Sequence, residues 1–257
     1  MKHHCFNEVH TLVKHNQPVL LTGEKGSGKT TVAMQVAEDL GLEFYSMSMT
    51  RQTTLSHILG FMSVNGTYVP SQLRKAVTEG GVYLLDELDA ADANVVLCFN
   101  TIENGYVSFP DGVIELHEDF RLMATSNPQG KHQEYTGRSK LDAATLDRFD
   151  AINVDHDNDL EKTLVDSDIF VHIKALREAL AYTNSSKVIS MRDSLRFQKR
   201  KALNLMDGYI LKLTGDNTLA FDKYEEMVAS MPKFEKQSDC TTAEDLFTLI
   251  KNVYENN

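Results

Sequence analysis

The residues best equipped for chemistry lie in Gly23-Glu24-Lys25-Gly26-Ser27-Gly28-Lys29-Thr30, with Thr31 directly after. Glycines at 23, 26 and 28 permit a tight backbone path and close approach of a phosphate, and the loop N–H groups can converge on an anion. Lys29 can reach a β- or γ-phosphate, and the Thr30 hydroxyl can ligate Mg²⁺. The apolar run Pro18-Val19-Leu20-Leu21-Thr22 precedes the loop, and Val32, Ala33, Val36, Ala37 and Leu40 come after it at helical spacing. That order of strand, loop and helix gives the cradle a helix N-terminus and predicts nucleoside triphosphate binding.

Two further groups have the right chemistry to act on such a ligand. Val82-Tyr83-Leu84-Leu85 is a continuous apolar run ending in Asp86-Glu87. A strand buried on both faces reads this way, and its C-terminal end is where ligands gather in open α/β sheets. Asp86 is expected to hold Mg²⁺ directly or through water, and Glu87 to orient and deprotonate the attacking water. Phe120 to Ser126 forms another apolar run closed by Asn127. If the two strands are neighbours, Asn127 can hydrogen-bond that water or the γ-phosphate; otherwise it caps a turn before Pro128.

The intervening elements must hold these groups together. Phe6, Val9, Leu12 and Val13 predict a first helix, and residues 43–47 a second strand. Helices are expected over Thr53–Leu59, Ser71–Glu79 and Ala93–Glu103. Asn65-Gly66 and Asp111-Gly112 mark hairpins over Phe61–Pro70 and Tyr106–Leu116. Gln129 to Lys140 reads as a polar loop, Leu141 to Leu146 as a short helix leading into Arg148, and Ala151 to Val154 as a last strand. From Asp155 onward the pattern turns helical, with Ile169, Ile173, Leu176 and Leu180, then Met191 to Asp207, then Leu246, Leu249, Ile250 and Val253. The expected domains are 1–155, α/β and nucleotide-binding, and 156–257, a small helical domain.

Composition excludes several other classes. A net charge of −11 over 257 residues, from 26 basic and 37 acidic groups, is wrong for a nonspecific nucleic-acid coat. No apolar run is long enough to span a bilayer, the N-terminus lacks the apolar stretch of a signal peptide, and three scattered cysteines offer no disulfide framework. A cytoplasmic location is expected. His3, His4, His10 and His15 with Cys5 lack fixed ligand spacing, so no metal site is read there.

Together, the P-loop, Asp86-Glu87, the strand-end Asn127, Arg148 after a short helix and the helical C-terminal part resemble an AAA+ ATPase. The two hairpins are similar to those of the helix-2-insert branch, which includes MoxR-type ATPases, cobaltochelatase ATPase subunits, Rubisco-activase-like proteins and McrB-type restriction motors. The phrases Gly80-Gly81-Val82-Tyr83-Leu84-Leu85-Asp86-Glu87-Leu88-Asp89, His117 to Pro128 and Leu146-Asp147-Arg148-Phe149 resemble the cobaltochelatase-like members most. The resemblance implies an α/β P-loop parallel sheet flanked by helices, two hairpin insertions and a small C-terminal helical lid.

It further implies that Asn127 senses γ-phosphate and that Arg148 is a finger reaching the neighbouring subunit's nucleotide. Arg192 would be the lid's sensor arginine and Arg138 a second trans-acting one. The implied activity is Mg²⁺-dependent ATP hydrolysis between subunits of a hexameric ring, used to remodel a protein client, with an adaptor such as a von Willebrand-type domain protein. An ATP-gated scaffold with slow hydrolysis and a McrB-like GTPase of a nucleic-acid-cutting complex are the alternatives. Membrane binding is not expected, and nucleic acid is not indicated.

Overall fold

Apolar residues on both faces of consecutive strand positions decide the central sheet. The computed structural model describes residues 1–127, 143–185, 187–203, 207–215 and 217–230. They fall into two compact units, Lys2–Asp155 and His156 onward with Met1. In the first unit, β1 (Val19–Thr22), β2 (Phe44–Ser48), β5 (Gly81–Asp86), β8 (Phe120–Ser126) and β9 (Asp150–Asn153) form one sheet in the order β2-β5-β8-β1-β9. Every pairing in it is parallel.

Alternation along each strand sends neighbours to opposite faces. Val19, Leu21, Val82, Leu84 and Met123 share one core with Phe6, Val9 and Val13 of α1 (Phe6–Lys14). Val32, Ala33, Val36 and Ala37 of α2 (Lys29–Leu40) complete it. Leu20, Tyr83, Leu85, Leu122 and Ala124 point the other way, into a core with Ile58 of α3 (Leu55–Leu59). There they also meet Leu73, Ala76 and Val77 of α4 (Gln72–Glu79). Burial also pushes the Cys98 thiol up to about 12, so it remains a neutral thiol in ordinary buffers.

Both hairpins form where the Asn-Gly and Asp-Gly pairs predict them. Strands β3 (Phe61–Met62) and β4 (Tyr68–Val69) pair antiparallel, as do β6 (Tyr106–Phe109) and β7 (Gly112–Glu115). The helix expected over Ala93–Glu103 is replaced by a short α5 (Ala93–Val96) and a 3₁₀ segment, Leu97–Asn104. Its buried pair, Phe99 and Ile102, is spaced by three, which a 3.0-residue turn satisfies as well as a 3.6-residue one. Over so short a run the two periods cannot be told apart from sequence. The helix α6 (Ala143–Leu146) ends the first unit's helical content. The expected loop at 129–140 lies outside the described residues, as do residues 141–142 of the expected short helix.

The second unit is helical among its described residues: α7 (Asn158–Leu164), α8 (Ser167–Tyr182), α9 (Met191–Lys201), α10 (Asp207–Thr214) and α11 (Thr218–Ser230). The α8 stripe of Ile169, Ile173, Leu176 and Leu180 packs with Phe197, Tyr209, Leu213 and Tyr224 in a separate core. The segment carrying Leu246, Leu249, Ile250 and Val253 lies outside the described residues. No helix among those described is long and apolar enough to cross a membrane.

A charged residue lies at the centre of this unit. Glu161 on α7 is fully buried and accepts hydrogen bonds from Arg177 Nη1 and Nη2 at 2.8 and 3.0 Å. Ser194 also donates to it, and His156 Nε2 lies 2.8 Å away. Burial alone would raise this carboxyl, but the hydrogen bonds from His156 and Arg177 and the adjacent positive charge outweigh it. They hold the group at about 2, below its ordinary 4.5. The folded form therefore favours the carboxylate, so the ionised group stabilises at neutral pH and that contribution is lost as pH falls from about 4.5 towards about 2. Urea denaturation should show this in two ways. Arg177→Met should cost about 3–5 kcal/mol, because it strands a buried charge. The stability gap between the wild type and Glu161→Gln should hold at neutral pH and narrow steadily below about 4.5.

Candidate functional site

The phosphate-binding loop begins where β1 ends and closes where α2 starts. Gly28 caps α2 with φ of 101°, a left-handed conformation that side-chain-bearing residues rarely adopt. Gly23 is required for a different reason, since a Cβ there would sit 2.3 Å from the carbonyl oxygen of Val154. The Val154 N–H donates to Thr22 O at 2.6 Å, so the last residue of β1, just before the loop, is held to the chain just past β9. Lys29 is 9% exposed and folds back over this loop, donating to Gly23 O at 2.6 Å and Glu24 O at 2.9 Å. Loop carbonyls thus solvate an ammonium that would otherwise be costly to bury. Ser27 is buried beneath the loop, while Lys25 and Thr31 are exposed at its rim.

Parallel pairing brings the other groups to the same edge. The β5 and β8 strands are neighbours, and β8 also pairs with β1. Asn127, 7% exposed just past β8, places its Oδ1 3.4 Å from Lys29 Nζ. Asp86 at the end of β5 has its Oδ1 3.4 Å from the Thr30 hydroxyl. A carboxylate oxygen and a hydroxyl oxygen at that separation form the hard, oxygen-only donor set that Mg²⁺ prefers, so these residues fit the ion.

The backbone turns sharply at Glu87, which has φ of 59° and ψ of 45° and so leaves the strand that the sequence carries through it. A left-handed conformation at a non-glycine residue costs on the order of 1–3 kcal/mol. Two hydrogen bonds hold it: the Glu87 N–H donates to Thr125 Oγ1 at 2.9 Å, and the Ala90 N–H donates to Glu87 O at 2.8 Å. Thr125 Oγ1 in turn donates to Asp86 Oδ1 at 2.6 Å. Sequence reasoning passed over this threonine. The available signal was its position two residues before Asn127 on an alternating strand, which puts both on one side.

The arginines divide. Arg148 is half-buried, with its Nε 3.1 Å from Glu103 Oε1 but without the alignment of a hydrogen bond. It lines a small pocket with Leu88, Val96, Phe99 and Phe149. Glu103 comes from the 3₁₀ segment. Arg192 is exposed at the start of α9, in the second unit. Arg138 lies outside the described residues.

Since the Gly23 site admits no side chain, Gly23→Ala should displace the loop. Its affinity for a fluorescent ATP analogue should fall by at least about tenfold, equivalent to about 1.4 kcal/mol. Titration of the purified variant beside the wild type measures this.

Comparison with known proteins agrees with this geometry. The sequence is 31% identical to midasin of Giardia intestinalis over 150 residues, 56% of this chain, and 32% identical to midasin of Dictyostelium discoideum over 174 residues, 64% of this chain. In both cases the match spans only 3% of the relative's own length. Among solved structures, NtrX from Brucella abortus in complex with ATP superposes with a TM-score of 0.55 at 12% identity, covering 96% of this chain and 66% of that one, a likeness of fold. The AAA domain (dynein-related subfamily) profile matches residues 18–149, more than half of the sequence. The chain has the P-loop AAA+ fold and belongs to the AAA domain family, dynein-related subfamily.

Proposed function

We propose that this protein is an Mg²⁺-dependent ATPase that hydrolyses ATP between the subunits of a ring. The observation that carries the reading is the convergence of Lys29, Thr30, Asp86 and Asn127 at one sheet edge, with Lys29 Nζ 3.4 Å from Asn127 Oδ1 and Thr30 Oγ1 3.4 Å from Asp86 Oδ1. On this reading Gly23 to Thr31 wrap the phosphates, and Lys29 exchanges its loop carbonyls for phosphate oxygens. Thr30 and Asp86 hold Mg²⁺, which when bound neutralises charge on the β- and γ-phosphates. Asn127 hydrogen-bonds the attacking water or the γ-phosphate. Glu87 orients that water and accepts its proton, and its strained backbone sets the direction of the carboxylate.

The site is incomplete in one chain. Phosphoryl transfer gains several powers of ten when an arginine meets the developing charge, and Arg148 is the candidate, delivered to the neighbour's nucleotide in a head-to-tail ring. In the single chain its charge is occupied by Glu103 at 3.1 Å, consistent with a finger that acts only on assembly. Arg138 and Arg192 are proposed as further nucleotide-sensing arginines. A hexamer, and a MoxR- or cobaltochelatase-like task of remodelling a protein client through an adaptor, complete the reading. The first hairpin supports a client-facing role, with Phe61, Met62, Val64 and Val69 exposed on it.

Two measurements test this. Glu87→Gln should bind ATP normally and turn over at least about a hundredfold more slowly, as expected of a lost general base; an unchanged rate would remove Glu87 from catalysis. Specific activity should rise with protein concentration in the wild type and stay flat and low in Arg148→Ala. A flat wild-type profile would instead favour the ATP-gated scaffold.

A further inference from the structure

We propose that Thr125 is a positioning residue for hydrolysis, setting the metal-holding Asp86 and the water-activating Glu87 with a single hydroxyl; this rests on the ATPase reading above. Thr125 is 1% exposed, so its hydroxyl must find partners within the protein. It has one proton to give, and gives it to Asp86 Oδ1 at 2.6 Å. A lone pair accepts the Glu87 N–H at 2.9 Å. The first bond fixes one carboxylate oxygen, the same Oδ1 that lies 3.4 Å from the Thr30 hydroxyl. The second holds the peptide at the entry to Glu87, whose φ of 59° is the strained point of the acidic pair.

The strand register explains why position 125 can do both. Leu85 pairs with Ala124 across β5 and β8, so Asp86 and Thr125 are the next step of that ladder. On its other side β8 pairs Thr125 with Leu21 of β1, one residue before Thr22 and two before Gly23. Thr125 therefore sits between the strand that carries the phosphate loop and the strand that carries the acidic pair. Its branched Cβ restricts χ1, keeping the hydroxyl aimed in a way a serine enforces less well. Its hydroxyl bonds to Asp86 and to the Glu87 peptide, and it acts through them.

Three variants of the full chain test this: Thr125→Val, which keeps the shape and loses both hydrogen-bonding roles, Thr125→Ser, which keeps the hydroxyl, and Glu87→Gln. Calorimetry gives ATP affinity with and without Mg²⁺, and steady-state assays give turnover. In Thr125→Val, turnover and the Mg²⁺-dependent gain in ATP affinity should each fall by about 10–100-fold, the usual effect of losing a residue that orients a metal ligand. Affinity measured without Mg²⁺ should stay within about twofold, because the phosphate loop is untouched. Thr125→Ser should restore both to within about threefold of the wild type, clear of the loss in Thr125→Val.

A Thr125→Val protein with wild-type turnover and Mg²⁺ gain would overturn the proposal. So would a Thr125→Ser protein as impaired as Thr125→Val, since that marks a packing role. Should Thr125→Val not fold, Thr125→Ala carries the same expectations. The Glu87→Gln rate separates the two levels. Wild-type turnover there sinks the ATPase reading, while the Mg²⁺ gain in Thr125→Val still reports on whether Thr125 sets Asp86.

Discussion

Parallel hydrogen bonding in register is the constraint on which the site depends. Because β5, β8 and β1 run the same way side by side, their C-terminal ends reach one edge together, and the residues just beyond each end are delivered there. Those residues are, in turn, the acidic pair closing on Glu87, then Asn127, then the glycine-rich loop. Slipping one strand by a single residue would turn its apolar side chains to the wrong face, exchanging the partners of Leu84 and Leu85 between the two cores. The cores that stabilise the sheet therefore also fix the chemistry at its edge. No separate device is needed to align the three segments.

At that edge the protein gives up local ease for direction. Lys29 is buried on carbonyls, Glu87 is left-handed, and Thr125 is a buried hydroxyl in a strand that also carries Phe120, Leu122, Met123 and Ala124. Each departure is offset by a named partner: the Gly23 and Glu24 carbonyls for the amine, the Thr125 hydroxyl for the Glu87 peptide, and Asp86 for that hydroxyl. Strain that survives in a folded protein does so because its surroundings over-determine it. Here the surroundings are the central strands themselves.

Much of this was legible in the residues. Gly23 to Thr30 could be read because a phosphate cradle needs glycine, lysine and hydroxyl residues at fixed offsets between a strand and a helix. The hairpins could be read because Asn-Gly and Asp-Gly favour the φ values their turns require. The interleaved strand order, by contrast, needs pairing information that no local pattern holds. The 3₁₀ segment at Leu97–Asn104 escaped because its buried pair is spaced ambiguously. Glu103 escaped as the partner of Arg148 because the two lie 45 residues apart and no local pattern links them. The turn at Glu87 escaped because an apolar run ending in two acids reads as uninterrupted strand, while its partner is a hydroxyl on the next strand.

The pairing of Arg148 with Glu103 has a consequence for the idle molecule. On the proposed reading, Arg148 must leave Glu103 before it can meet a neighbour's nucleotide. The Glu103 side chain is 53% exposed against 23% for Arg148, and a pair this wet is worth about 0.2–1 kcal/mol. A contact of that size biases the resting position of the guanidinium by only a few-fold and is readily exchanged for a stronger partner. On the proposed reading, Glu103 is a partner that Arg148 gives up easily.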